Sequence, residues 1–271
     1  MSSRASCVEG TSDELQPSKY LKAKATADGQ RCGDPGVALI ILNSPIQDLK
    51  YFRRLCEHAS FRICADGGAN RLHDVVLNGT ATQDWSEALQ QLLPDTIHGD
   101  LDSLDKQVRE RYEHLGVEIS EDPDQYSTDF GKSIKKIVER MPAVRNILIH
   151  GSLGGRVDQG IGLLHELYRE QSLRHPKVRF WLLTESSVSV LLRTGTTVLQ
   201  TPLGEGLITR NIGILPLYGP ARISTMGLEW DVDDWPTELG GQVSTSNHIV
   251  SDSVTIRTDN DVLFTVERSG Q

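Results

Sequence analysis

From Val37 to Leu42 six apolar residues follow one another without a polar interruption, the pattern of a strand buried on both faces. Comparable segments recur at Phe61–Cys64, Ile147–Ile149 and Val178–Leu183. Between them the apolar positions take a helical period. Leu104, Val108, Tyr112 and Leu115 share one face, Ile134, Ile137 and Met141 a second, and Val157, Ile161, Leu164 and Tyr168 a third. Strands alternating with helices predict a mainly parallel sheet with helices on its faces.

After about residue 185 the rhythm changes. Val188–Leu192, Thr196–Leu199, Ile212–Leu215, Ala221–Thr225, Val254–Arg257 and Val262–Val266 are short segments punctuated by Gly, Pro, Asn or Asp, with no helical stripe. Asp259-Asn260 between the last two reads as a tight hairpin turn. The fold class is therefore α/β followed by all-β: an α/β domain over 36–185 and a β-sandwich or barrel domain over 186–271. Residues 1–35 are polar, mix both charge signs and read as a flexible tail, while Asn78–Pro94 reads as an excursion within the first domain.

Composition narrows the choice. The 271 residues carry a formal charge of −9, which leaves no basic excess for a nucleic-acid binder. An acidic chain still accepts a polyphosphate where a divalent metal sits on Asp residues. The four cysteines, Cys7, Cys32, Cys56 and Cys64, form no Cys-x-x-Cys pair and fit free thiols in a reducing compartment. No apolar stretch approaches the ~20 residues of a membrane span, so the expectation is a cytoplasmic protein.

Four segments carry candidate chemistry. In His98-Gly99-Asp100-Leu101-Asp102-Ser103, residues two apart in extended chain point the same way, so Asp100 and Asp102 converge on one cation. Hard carboxylate ligands suit Mg²⁺; Asp102 or Ser103 equally suits a helix cap. In Asp124-Gln125-Tyr126-Ser127-Thr128-Asp129-Phe130-Gly131-Lys132, Ser127 or Thr128 caps a helix whose first turn sets Asp129 beside Lys132. Gly131-Lys132-Ser133 is not a P-loop, because the earlier glycine position holds Tyr126. Gly151-Ser152-Leu153-Gly154-Gly155-Arg156-Val157-Asp158-Gln159 runs from a strand into a helix, a place where backbone N–H groups receive an anion and Arg156 adds a phosphate contact. Asp66-Gly67-Gly68-Ala69-Asn70 is a further strand-to-loop junction. Together these junctions should lie at the carboxyl ends of one sheet, facing a Mg-nucleotide cleft.

In this order the motifs resemble the thiamine pyrophosphokinase family: D-G-G-A-N at 66–70, G-D-L-D-S at 99–103, D-Q-x-x-T-D-F at 124–130 and G-G-R-V-D-Q at 154–159. Gly227-Leu228-Glu229-Trp230-Asp231 and Ser244-Thr245-Ser246-Asn247 complete the set, and the resemblance covers about 36–268. It implies an ATP-binding α/β domain, a thiamine-binding β-sandwich domain and a homodimer with active sites between subunits. The activity it implies is transfer of the pyrophosphoryl group of Mg-ATP to the thiamine hydroxyl. Carried over residue by residue, Asp100, Asp102 and Asp129 are the metal centre with catalytic Asp66 nearby. Lys132, Arg156 and Asp158 fall on the nucleotide side, and Gln125, Trp230, Ser246 and Asn247 on the thiamine side, with Asp100 the candidate proton acceptor. An indole face suits a flat aromatic cation such as thiamine. His248 and the long 78–94 segment depart from the family pattern. A hydroxymethyl pterin as acceptor, or a catalytically silent thiamine or nucleotide sensor, is the alternative.

Overall fold

The structure, a computed structural model, describes residues 13–24, 33–79 and 85–270. Cys7 and Cys32 lie outside them; Cys56 and Cys64 are buried and form no disulfide among the described residues. The elements in chain order are β1 (Asp13–Leu15), β2 (Asp34–Ile41), α1 (Leu49–His58), β3 (Ala59–Ala65), α2 (Gly68–Gly79), α3 (Trp85–Leu92), β4 (Thr96–Gly99), α4 (Lys106–His114) and β5 (Glu118–Glu121). Then follow α5 (Asp129–Arg140), β6 (Asn146–His150), α6 (Val157–Tyr168), β7 (Arg179–Leu183), β8 (Ser187–Leu192), β9 (Gly195–Gln200) and β10 (Ile208–Leu215). The last are β11 (Ala221–Met226), β12 (Trp235–Thr237), β13 (Ser244–His248), β14 (Ser253–Thr258) and β15 (Val262–Arg268).

The chain divides into two units, one of Tyr20–Val190 and the other of Leu191–Gln271 with the N-terminal residues through Lys19. In the first unit the strands lie in the order β5-β4-β3-β2-β6-β7-β8, parallel except for β8. Val37, Ala38, Leu39, Ile40 and Ile41 of β2 are almost wholly buried, as their unbroken apolar run predicts for a central strand. Chain order runs outward from β2 to β5 and then returns to β6 on the other side of β2. The switch point therefore falls between β2 and β6, where a cleft opens beyond the strand ends. Asp48 caps α1 by accepting the Tyr51 N–H, which turns Tyr51, Phe52, Leu55 and Cys56 inward.

The second unit is β-rich and antiparallel except for β1, with one sheet ordered β1-β9-β14-β11-β12 and another containing β13-β10-β15. Alternating positions bury Leu199, Val254, Ile256 and Ile223 from the first sheet and Ile212, Ile214, Phe264 and Val266 from the other.

Four readings change. The tail is ordered in part: β1 pairs in parallel with β9, and Tyr20 and Leu21 are buried, with Tyr20 edge-on to Trp181 at 5.6 Å. Asp259-Asn260 is no hairpin turn, since β14 pairs with β9 and β11 whereas β15 pairs with β10. The turn is a step between sheets, held by Asp259 Oδ1 accepting the Arg222 N–H at 2.7 Å. On α6 the expected stripe is reversed, with Val157 76% and Ile161 63% exposed while Leu163 and Leu167 are buried. Finally, the 78–94 segment contains α3, whose Leu89 and Leu92 are buried.

Candidate active site

Three carboxylates meet at the strand ends of the α/β unit. Ligand oxygens of Asp66, Asp100 and Asp129 lie within 4.8 Å of one another. Asp66 follows β3, Asp100 follows β4 and Asp129 opens α5, so the triad is gathered from distant segments by parallel pairing of β3, β4 and β5. Thr128 caps α5, accepting the Gly131 N–H at 3.1 Å, which fixes Asp129 in the first turn. Asn70 of the 66–70 motif donates to Ser103 O and accepts the Asp105 N–H, tying that motif to the 99–103 loop.

Asp102 does not join the triad. Leu101 has φ 62, a left-handed conformation that breaks the extended geometry needed for Asp100 and Asp102 to point together. Asp102 is exposed and accepts the Ser103 hydroxyl, and Asp66 takes the third place. Neither Asp102 nor Ser103 caps α4, whose cap position is Asp105. Gly99 gives the carboxylates room: a Cβ there would stand 2.9 Å from Asp129 Oδ1 and 3.0 Å from Asp66 Cβ.

The centre is electrostatically strained without a cation. Burial pushes the Asp66 carboxyl above the usual Asp range, opposed by Ser103 and reinforced by Asp129. Asp129 is likewise raised, by burial first and then by Asp100, against the pull of Lys132. Lys132, read from sequence as a nucleotide contact, is instead buried with its Nζ 3.5 Å from Asp129 Oδ1 and 3.6 Å from Asp100 Oδ2. With all three carboxylates ionised, one ammonium leaves two negative charges uncompensated. Asp66 Oδ1 is buried without a hydrogen-bond partner. Hard oxygen donors, an orphaned acceptor and that residual charge fit a divalent cation. Gln125 Nε2 donates to Asp100 Oδ2 at 3.4 Å.

The triad opens on a cavity of 950 Å³ at the β2/β6 switch point, lined by Asp66, Asp129 and the turn from Gly151 to Arg156. Arg156 and Asp158 stand at its exposed border, paired to each other through Nε and Nη2 at 3.1 and 2.6 Å. Sequence reading missed His150 and Glu185 on the cavity's inner wall, where Ser152 of the glycine-rich turn also stands. His150 and Ser152 are buried; His150 Nε2 lies 3.6 Å from Glu185 Oε1, while His150 Nδ1 and Ser152 Oγ have no hydrogen-bond partner among the described residues. The one signal for His150 in sequence was its position just before the glycine-rich turn.

The β unit has a site of its own, a 270 Å³ cavity lined by Trp230, Ser246 and Asn247 together with Ile214, Ile223 and Trp235. Trp230 is 55% exposed, so its indole is available to a ligand. Asn247 is otherwise engaged. Its Oδ1 accepts the N–H groups of Trp230 and His248, and its Nδ2 donates to Trp230 O. Its amide thus holds main chain on the wall of the same cavity that Trp230 and Ser246 line.

A parallel α/β unit with this acidic centre, continuing in sequence into an antiparallel β unit with an aromatic pocket, defines a transferase of the kinase class. Residues 52–181 match the family described as Thiamin pyrophosphokinase, catalytic domain, and residues 196–263 match Thiamin pyrophosphokinase, vitamin B1 binding domain. The chain belongs to the thiamin pyrophosphokinase family and is an enzyme of that kind. It is 34% identical over 235 residues to thiamine pyrophosphokinase 1 of Arabidopsis thaliana, covering 84% of this chain and 85% of that one. With thiamine pyrophosphokinase of Saccharomyces cerevisiae it shares 30% identity over 283 residues, covering 86% of each. Among solved structures, yeast thiamin pyrophosphokinase superposes with a TM-score of 0.80 at 26% identity, covering 94% of this chain and 91% of that one. Thiamin pyrophosphokinase from Candida albicans gives 0.78 at 25% identity, covering 95% and 93%. No helix among the described residues is long and apolar enough to cross a membrane.

Proposed function

We propose that this enzyme transfers the pyrophosphoryl group of Mg-ATP to the hydroxyl of thiamine, giving thiamine diphosphate and AMP. The observation that carries the reading is the Asp66, Asp100 and Asp129 triad, with the unpartnered Asp66 Oδ1, on the border of a cavity sized for a nucleotide. Asp66, Asp100 and Asp129 would hold Mg²⁺, which supplies charge neutralisation on the phosphate oxygens. The Ser152–Gly155 turn offers N–H groups to the polyphosphate, and Arg156 stands at the border to add a charge-assisted contact. Trp230 receives the thiamine rings by stacking.

In the transfer the thiamine oxygen bonds to the β-phosphorus as the bond from that phosphorus to the α,β-bridging oxygen breaks. The bridging oxygen leaves with AMP. Asp100 takes the hydroxyl proton and returns it to solvent, while Lys132 keeps the cluster of carboxylates from repelling the incoming phosphates. Most of the acceleration is assigned to positioning and charge. The same reading makes the enzyme a cytosolic homodimer, for which the exposed Val157 and Ile161 on α6 offer an apolar face.

Purified protein given Mg-ATP with and without thiamine tests this directly. Thiamine-dependent AMP with matching thiamine diphosphate by chromatography is expected. Binding of thiamine without AMP release would favour a sensor, and turnover on a hydroxymethyl pterin alone would reassign the acceptor.

A further inference from the structure

We propose that His248, braced by Glu229, is a positioning residue that fixes the indole of Trp230; the inference deepens the thiamine reading above and rests on it. Trp230 is more than half exposed, and the bonds from Asn247 hold only its main chain. An indole presented in this way keeps side-chain freedom that a stacked ligand must remove at a cost in affinity. The ring beside it is that of His248, with centroids 5.3 Å apart and planes inclined by 41°.

The imidazole is itself held. His248 Nδ1 lies 2.6 Å from Glu229 Oε2, a hydrogen bond that sets the ring's orientation. The backbones are locked in the same register: Glu229 N donates to His248 O at 2.8 Å, and His248 N donates to Asn247 Oδ1 at 2.8 Å. Residues 229 and 230 are thereby clasped to residues 247 and 248 at both main chain and side chain. His248 is absent from the lining of the 270 Å³ cavity, whereas Trp230 and Asn247 line it. It acts through the indole and does not touch the ligand.

The test uses His248→Ala, Glu229→Ala, the double variant and Glu229→Gln. The first readout needs no ligand: the Trp230 indole N–H in a ¹H–¹⁵N spectrum, assigned by its loss in Trp230→Phe. Broadening or displacement of that signal in both alanine variants, and its recovery in Glu229→Gln, is expected. The second readout is kinetic. Each alanine variant is expected to raise the thiamine KM about 3- to 10-fold with kcat and the ATP KM unchanged, the cost of one freed side chain. Because the two residues act as a unit, the double variant should be no worse than the poorer single one. An unmoved indole signal, additive effects, or a fall in kcat at constant thiamine KM would overturn the assignment. A wild-type protein that ignores thiamine would remove the thiamine reading, and the indole signal would still judge the brace.

Discussion

The side-chain amide of Asn247 grips the main chain of Trp230 from both sides, its Oδ1 accepting the Trp230 N–H at 3.1 Å and its Nδ2 donating to Trp230 O at 2.9 Å. Asn247→Asp keeps the acceptor and loses the donor. It is expected to cost about 1–3 kcal/mol, the penalty for a buried polar group left unmatched. Denaturant unfolding measures the stability, and the thiamine KM should rise because the loop bearing Trp230 loosens. An unchanged KM would show that the grip serves stability alone.

Asp66 and Asp102 separate two readings of the metal centre. At saturating Mg²⁺, about a hundredfold above Kd, the wild-type protein should gain about 2.7 kcal/mol of stability by mass action. Asp66→Asn removes one ionised ligand at a position where φ is 43, a conformation that Asn tolerates well, so the fold should survive while the Mg²⁺-dependent rise in Tm disappears. Asp102→Asn should retain the rise. The opposite result would return Asp102 to the centre.

Lys132 lies fully buried against two of the three carboxylates. Lys132→Met keeps the length of the side chain and removes its charge. Without divalent metal at neutral pH the variant should lose about 1–3 kcal/mol, because two partly exposed carboxylates lose the ammonium that pairs them. Added Mg²⁺ should restore part of that loss. Urea melts with and without the metal decide the matter.

Gly99→Ala places a methyl group against Asp129 Oδ1 and Asp66 Cβ. The overpacking is expected to cost about 1–3 kcal/mol. It should also depress turnover more than a distant substitution of equal cost, since it displaces the carboxylates themselves.

Glu118 of β5 links to α5 through Lys136 at 2.9 Å and Arg140 at 3.2 Å. The hydrogen bond from Lys136, opposed by burial and helped by the nearby charges, holds its carboxyl below the usual 4.5. A carboxyl depressed on folding stabilises the native state above its unfolded pKa, and that stability is lost as pH falls through the folded value. Glu118 is 37% exposed, so screening limits the effect to about 1 kcal/mol or less. Glu118→Gln should therefore be less stable than wild type at neutral pH and equal to it once the pH is below the folded value.

The long apolar strands were legible because an unbroken run such as Val37–Ile41 has few other ways to hide from water. Strands β4 and β5, with four residues each, are too short for periodicity to register, and β5 is half-exposed. Asp100 and Asp129 were found from local motifs. The exchange of Asp102 for Asp66 depended on one left-handed residue, Leu101, which an extended-chain rule cannot see. Asp259-Asn260 carries the same turn chemistry whether the chain doubles back or steps between sheets, so only the pairing of β14 and β15 distinguishes them. On α6 the stripe has the right period, and burial falls on Leu163 and Leu167 instead.

Strand β1 lies beside β9, so residues 13–15 complete a sheet whose other strands come from residues 195–258. On the ribosome the first of these partners emerges long before the second, and the intervening Tyr20–Val190 unit is finished in between. The second unit is thus discontinuous in the order of synthesis. Its edge on β9 stays open until a segment made before the first unit is threaded back into parallel register, and an exposed strand edge invites pairing with another chain. Assembly of the newly made enzyme consequently has a late step in which a segment made before the Tyr20–Val190 unit closes a sheet made after it.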